Sequence, residues 1–141
     1  MTTDWAPEFL LGAYAGEGTI ETYQLGSGTV NPGDLVKLSG TTASAASTVI
    51  PVVSSGDVAI GVVQRVWTAM GITWVSVVVR GKVKVTISGT VSVGAKLKAW
   101  SQHQVAAWVS GTDASNLAIG TAVQGGSSGD TLLAIVDCAA L

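Results

Sequence analysis

Charged side chains are scarce in this sequence: lysine, arginine, aspartate and glutamate together make up 11% of its 141 residues. An ordinary soluble domain carries roughly 25%. Hydrophobic residues reach 48%. A chain this poor in charge is most simply kept in solution by burying part of its apolar surface against other copies or partners. The composition therefore favours association.

Residues that carry chemistry are nearly absent as well. Cys138 is the single cysteine, which excludes an intrachain disulfide, and its place in "AIVDCAAL" predicts a small apolar filler at a strand end. His103 is the single histidine and has no cysteine or carboxylate cluster nearby, which argues against a zinc site. No G-x-S-x-G elbow is present, and "QGGSSGD" lacks the lysine of a phosphate loop. The sequence predicts no catalytic centre, no metal and no cofactor, so the protein is not expected to be an enzyme.

Targeting, membrane and nucleic-acid signals are also lacking. No basic region precedes the short apolar run near the N-terminus, so we expect no secretory signal. Residues 59–79 are long enough to span a bilayer, but they are rich in β-branched residues and interrupted by Gln64 and Arg65, which favours two strands. The net charge of −2 gives no general reason to expect a nucleic acid or an anionic membrane as partner.

Helical periodicity is almost missing, and valine, isoleucine, threonine and tryptophan dominate the apolar runs. Glycine, serine, asparagine and aspartate interrupt these runs at short intervals, a pattern typical of an all-β protein. The runs predict ten strands, near residues 19–24, 35–38, 49–53, 59–67, 73–79, 82–87, 96–100, 104–109, 117–123 and 131–136.

One stretch occurs twice: "AIGVVQ" begins at Ala59 and "AIGTAVQ" begins at Ala118. Flanking motifs keep a similar spacing, since "NPGDLVKL" contains Gly33 and "VSVGAKLKAW" contains Gly94. We interpret this as two tandem β units of about 60 residues, covering roughly residues 30–87 and 91–138. Together they predict one small β-barrel or β-sandwich domain over residues 16–141, preceded by an extended arm at residues 1–15.

The order of these motifs resembles the capsid cement, or head decoration, proteins of tailed bacteriophages. The resemblance covers roughly residues 16–137 and runs through "NPGDLVKL", "IPVVSSGDVAIGVV", "VSVVVRGKVKV", "VSVGAKLKAW" and "NLAIGTAVQGGSSGDTLLAIVD". It implies a β-barrel or β-sandwich on the outer capsid surface of the virion, made in the host cytoplasm. Such a protein stabilises the shell by binding across neighbouring major capsid subunits. The implied partners are the major capsid protein and further copies of the chain, with a homotrimer favoured over a dimer, and neither nucleic acid nor membrane.

Charge is segregated along the chain. All charged residues up to Asp34 are acidic, and all those between Asp57 and Asp113 are basic. Arg80, Lys82 and Lys84 alternate with small apolar residues, so they line one face of a strand. This cationic row is either a docking face for an acidic surface, on a neighbouring subunit or the capsid, or a solvated face that protects a sheet edge.

The N-terminal arm combines acidic and aromatic residues but has no long periodic run, so it is not expected to fold alone. We expect it to lie along a neighbouring subunit or the capsid, although a disordered terminus is the alternative. The predicted capsid or subunit contacts in the arm are Asp4, Trp5, Glu8, Phe9 and Tyr14.

Five tryptophans leave a second function open. Trp100 and Trp108 flank "SQHQVAA" as a hairpin would place them, and such a pair could stack on sugars in a virion-displayed carbohydrate-binding module. The competing interpretation is that most of the tryptophans fill the core or an interface.

Overall fold

The computed structural model of the protein describes residues 18–39 and 48–138, and these residues confirm the all-β class. Apart from one 3₁₀ turn at Ser115–Leu117, the regular structure there consists of nine strands. They are β1 (Thr19–Leu25), β2 (Leu35–Leu38), β3 (Thr48–Pro51), β4 (Gly61–Ala69), β5 (Ile72–Thr86), β6 (Lys96–Ala99), β7 (Val105–Ala107), β8 (Ala118–Ala122) and β9 (Thr131–Asp137).

The first five strands close into a barrel. Their order is β1-β3-β2-β4-β5, and β5 pairs back with β1, so the sheet returns to its starting strand. The closing pair is short and parallel: Gln24 lies opposite Thr48 and Leu25 opposite Val49. Because a closed barrel leaves no long free edge at its seam, these strands form a self-contained first unit.

The second unit repeats this pairing with β5 in the place of β1. Strands β6, β7, β8 and β9 pair with one another as β2, β3, β4 and β5 do, and β9 pairs with β5 as β5 pairs with β1. Even the parallel closing contact recurs, as a bridge between Ile87 and Val105. Strand β5 therefore belongs to both units.

Individual hydrogen bonds recur as well. The N–H of Gly33 donates to the Val63 carbonyl at 2.8 Å, and the N–H of Gly94 donates to the Ala122 carbonyl at 2.8 Å. The turns that precede β2 and β6 are thus fixed to the neighbouring strands in the same way. This agreement supports the tandem arrangement that the duplicated stretch predicts.

The predicted break between residues 79 and 82 is wrong, because β5 is one strand of 15 residues. Its N-terminal part pairs with β1 and β4, and its C-terminal part, from Arg80 onward, pairs with β9. Gly81 has φ of 136°, which a residue without a Cβ adopts easily. Gly81 therefore continues the strand between the part that pairs with β1 and β4 and the part that pairs with β9.

Two hydrophobic clusters fill the two units. The first contains Val36, Val49, Val63, Val75 and Val77, which point into the closed barrel. The second extends through the interior of the second unit and is larger; its buried members include Val83, Val85, Ile87, Leu97, Ile119, Leu132 and Val136. Valine and other β-branched residues dominate both, as expected for strands that pack on a pleated surface.

A lysine–aspartate pair holds the equivalent turn in each unit. The Lys37 ammonium lies 3.0 Å from the Asp57 carboxylate, and the Lys98 ammonium lies 2.7 Å from the Asp113 carboxylate. The carboxylate of Asp57 also accepts the N–H of Val53 at 2.8 Å, and that of Asp113 accepts the N–H of Val109 at 2.7 Å. Each carboxylate therefore ties a strand to the turn that follows β3 or β7.

Because of these two pairs, the free energy of unfolding depends on pH. Hydrogen bonds from Lys98 and from the Val109 N–H lower the pKa of Asp113. For Asp57, burial opposes the shift but is outweighed by the Val53 N–H, Lys37 and Ser54, so its pKa is lowered as well. Because both folded-state pKa values lie below the unfolded ones, the unfolded chain takes up protons first as pH falls.

We expect the free energy of unfolding to fall as pH drops below about 4, near the pKa of an ordinary aspartate. The double variant Asp57→Asn/Asp113→Asn should lose less stability over the same range, since it has no carboxylates to protonate at these turns. Urea unfolding of both proteins between about pH 5 and pH 2 measures the difference. If the free energies of unfolding of the two proteins fall equally with pH, the acid sensitivity does not come from Asp57 and Asp113.

Candidate interaction surface

Three outward-facing side chains of the first unit are buried by the rest of the protein. Leu35, Val62 and Val78 lie opposite one another on β2, β4 and β5 and face away from the barrel interior. All three are completely buried and belong to the hydrophobic cluster of the second unit. The second unit therefore covers this row of side chains.

The matching row of the second unit is exposed. Lys96, Thr121, Ile135 and Lys82 lie opposite one another on β6, β8, β9 and β5. Ile135 is 43% exposed and the other three are exposed too. Four strands span about 14 Å across the sheet. Where the first unit has Leu35, Val62 and Val78, the second has Lys96, Thr121 and Ile135, and nothing in residues 18–39 and 48–138 covers these three. The counterpart of Lys82 is Ile20 on β1, which is 40% exposed.

Strand β5 extends this surface with the predicted cationic residues. Arg80 and Lys82 are exposed, and Lys84 is half-buried on the same side of the strand. We call the exposed side of β5, β9, β8 and β6 the cationic face; it consists of Arg80, Lys82, Lys84, Lys96, Thr121, Leu133, Ile135 and one acidic residue, Asp137.

Only part of this charge is neutralised within the described residues. Arg80 donates to the Asp137 carboxylate at 3.2 Å, and both side chains are about half exposed. No ion pair joins Lys82 to a carboxylate in the described ranges. Exposed pairs such as Arg80–Asp137 contribute less than about 1 kcal/mol. The face is therefore net positive and partly apolar, as a docking surface for an acidic and apolar partner would be.

Trp100 and Trp108 do lie at the two ends of a β6–β7 hairpin. The N–H of Trp100 donates to the Gln104 carbonyl and that of Trp108 to the Lys96 carbonyl, so the backbones of the two residues lie about four positions apart along the hairpin, roughly 13 Å. Lys98 lies 5.9 Å from the Trp100 ring centroid and Lys96 lies 5.3 Å from that of Trp108. A lysine thus occupies one side of each ring, an arrangement that does not favour a sugar platform.

The tryptophans are not core residues in the described part of the chain. Trp67 and Trp74 pair across the β4–β5 hairpin and are half-buried, as is Trp108, while Trp100 is 45% exposed. The interior of each unit is taken by smaller, mainly β-branched side chains, so these four tryptophans do not fill the core, and their place in an interface stays a prediction. Trp5 lies outside the described residues.

A polar cluster that the sequence did not reveal joins the two units. Asp34 is 4% exposed, and its carboxylate accepts the Asn31 N–H at 2.9 Å and the Gln102 side-chain amide at 3.0 Å. The His103 ring nitrogen Nδ1 lies 2.8 Å from the other carboxylate oxygen. The backbone N–H of Leu35 donates to the Gln102 carbonyl. The loop between β6 and β7 is therefore fixed to the turn that precedes β2.

This cluster is suited to holding the units together. The carboxylate orients His103, but no hydrogen bond joins a serine, threonine or cysteine side-chain donor to the ring in the described residues, so no nucleophile is activated there. The signal in the sequence is weak, since Asp34 and His103 are 69 positions apart. The glycine before Asp34 indicates only a turn.

Cys138 lies in surroundings that suit a structural role rather than a reactive one. Burial, with a smaller contribution from the Asp137 charge, raises the pKa of the Cys138 thiol to about 12. Cys138 is therefore a buried filler at the end of β9, as predicted. In residues 18–39 and 48–138, no three histidine, cysteine, aspartate or glutamate side chains are grouped to hold a metal ion. The same ranges contain no helix with the length and apolar character needed to cross a bilayer.

The predicted contact residues of the arm, Asp4, Trp5, Glu8, Phe9 and Tyr14, lie outside the described residues. Of the predicted contact set, the structure brings together Arg80, Lys82 and Lys84, on one side of β5. It adds to them Lys96, Thr121 and Ile135 from strands that are distant in sequence.

Comparison with solved structures finds the same fold in a phage protein. The chain is similar to the head fiber gp8.5 N base of bacteriophage phi29, with a TM-score of 0.59 and 15% sequence identity. The similarity covers 85% of this chain and 94% of the phage protein. No family model and no curated protein sequence matches the chain. At this level of identity the comparison establishes a shared fold over nearly the whole of both chains.

Proposed function

We propose that this protein is a structural component of a tailed-phage virion. It decorates the outer surface of the capsid and stabilises the shell by binding across neighbouring major capsid subunits. It is made in the host cytoplasm, assembles with further copies of itself, most simply as a homotrimer, and performs no catalysis. Neither a cofactor nor a nucleic acid takes part.

The observation that carries this proposal is the shared fold with the base of a phage head fiber, over 85% of this chain and 94% of that one. A fold alone does not fix a function. Here it agrees with the order of motifs along the sequence, which independently resembles capsid decoration proteins. Two lines of evidence that use different information therefore support the same class of protein.

The surface is consistent with a binding role. Composition favours association, since only 11% of the residues are charged. The cationic face offers exposed apolar atoms of Ile135 beside Lys82, which pairs with no carboxylate among the described residues, whereas Leu35, Val62 and Val78 of the first unit are covered. An interface needs such a mixture, because apolar area contributes affinity and charge selects the partner.

We expect the purified protein to bind expanded, undecorated capsids of the phage that encodes it, up to a saturating number of copies set by the capsid symmetry. Decorated particles should release their DNA at a higher temperature than bare ones, because each copy links capsid subunits that must separate. Co-sedimentation and DNA-dye release on heating measure the two effects. Particles with neither saturable binding nor a higher release temperature would contradict the proposal. Unexpanded shells are the control.

A further inference from the structure

The uncovered row of the second unit needs an occupant more than an ordinary exposed strand does. Of its four counterparts in the first unit, Leu35, Val62 and Val78 are completely buried, and Ile20, the counterpart of Lys82, is 40% exposed. In the second unit, Ile135 and the half-buried Leu133 form an apolar centre with lysines on both sides. Asp137 lies on the same side of β9 and pairs with Arg80, so the lysines leave a net positive charge beside this apolar centre. Exposed apolar area beside net positive charge marks a contact surface, and the charge selects an acidic segment.

The N-terminal chain enters the fold at the edge of this face. Thr19, at the start of β1, lies opposite Arg80 on β5, and the two strands are antiparallel. The register shifts by one residue between Thr19 and Ile20, and a continuation of the Thr19–Arg80 register would place Glu17 opposite Lys82. Residues 1–17 span at most about 56 Å when extended, several times the width of the four-stranded face. The segment can therefore reach all of the face from its own attachment point.

The composition of residues 1–17 matches the face in both respects. The segment carries Asp4, Glu8 and Glu17 and contains no lysine or arginine. It also holds Trp5 and Phe9, large apolar side chains that suit the exposed atoms of Ile135 and Leu133. Opposite charges within a Debye length attract, and desolvated aromatic groups contribute most of the energy in such contacts.

We propose that residues 1–17 dock on the cationic face of their own chain, with Glu17 beside Lys82 and the aromatic side chains over Ile135 and Leu133. The predicted contact residues of the N-terminal segment then bind the predicted contact residues of β5, which are Arg80, Lys82 and Lys84. The attachment point favours this segment over that of another copy, because tethering gives it a high effective concentration at the face. The inference does not depend on capsid binding and is tested in the free protein.

A disulfide tests the position of the segment. Directly opposite residues of antiparallel strands have Cα atoms about 4.5–5.5 Å apart, within the range that a disulfide spans. In the full chain, Glu17→Cys/Lys82→Cys should oxidise to a single-chain disulfide, seen as faster migration without reductant and as a cross-linked peptide by mass spectrometry. The native Cys138 is buried and should not compete. The control pair Glu17→Cys/Arg65→Cys uses an exposed cation on β4 and should not form the bond.

Protease protection tests the role of charge. Cleavage by a glutamyl endopeptidase after Glu8 should be slow in the wild type and at least about tenfold faster in Lys82→Glu, since repulsion releases the segment. The double variant Glu17→Lys/Lys82→Glu should restore protection, and Arg65→Glu should resemble the wild type. A disulfide that joins two chains would assign the segment to a neighbouring copy and overturn the proposal. So would no Glu17–Lys82 disulfide, or cleavage after Glu8 at equal rates in the wild type and Lys82→Glu.

Discussion

Replacing Gly61 or Gly120 by alanine should lower the free energy of unfolding by about 3 kcal/mol, because neither site has room for a Cβ. A Cβ at Gly61 would overlap Val77 Cγ1 and lie 2.6 Å from the Val78 carbonyl oxygen. At Gly120 it would overlap the Ile135 carbonyl oxygen and lie 3.0 Å from Val136 Cα. Backbone atoms of a paired strand cannot move aside without breaking the pairing.

Urea unfolding of both variants measures this effect, and Gly56→Ala is the matched control. Gly56 has no atom within 4 Å of a Cβ built on it, so that substitution should change the free energy of unfolding by less than about 0.5 kcal/mol. Gly61→Ala and Gly120→Ala should lower the free energy of unfolding equally if the two glycines serve the same purpose in the two units. If either variant is as stable as the control, the close approach is not what fixes glycine in the duplicated stretch.

The second large effect is expected at Asp34. Changing Asp34 to alanine removes the acceptor for the Asn31 N–H, the Gln102 amide and the His103 ring. Leaving these donors unsatisfied beside a buried site should lower the free energy of unfolding by about 3 kcal/mol. The contact between the two units should loosen at the same time, seen as faster amide exchange at Leu35, whose N–H donates to the Gln102 carbonyl.

Asp130 provides the comparison for Asp34, because it also follows a glycine in a turn. Its carboxylate accepts the Ser127 N–H at 2.8 Å, but the residue is exposed. We expect Asp130→Ala to cost about 1 kcal/mol, the contribution of one ordinary hydrogen bond. If Asp34→Ala lowers the free energy of unfolding no more than Asp130→Ala does, the polar cluster around Asp34 does not hold the units together.

The strands could be predicted from the sequence because their signals are local. The prediction for β2, residues 35–38, agrees with the structure at both ends, and β9 differs by one residue. The duplicated "AIG" stretch indicated the tandem units for a physical reason that the structure makes clear, since both glycines lie against the backbone of the next strand. A second repeat, "GTV" at residues 28–30 and 89–91, carries the buried Val30 and Val91 and could have sharpened the start of each unit.

The features that could not be predicted depend on contacts between distant residues. Nothing local distinguishes Asp34 from the other aspartates that follow glycine, yet only the fold brings His103 and Gln102 to it. The cationic row on β5 was visible from alternation, but Lys96, Thr121 and Ile135 join it only through the strand order. Residues 79 and 82 were predicted to lie in separate strands, whereas one strand runs through Gly81 and pairs with β9 from Arg80 onward. The domain limits at residues 15 and 16 and the arm contacts stay predictions.

Electron cryo-microscopy of decorated capsids tests the central claim most directly. After the protein is added to expanded, undecorated capsids of the phage that encodes it, we predict density for the two-unit β domain on the outer surface, above junctions between neighbouring major capsid subunits. Three copies should surround each occupied position if the homotrimer is the assembling species. Absence of that density at saturating protein, or density confined to a single capsid subunit or to the inside of the shell, would contradict the account.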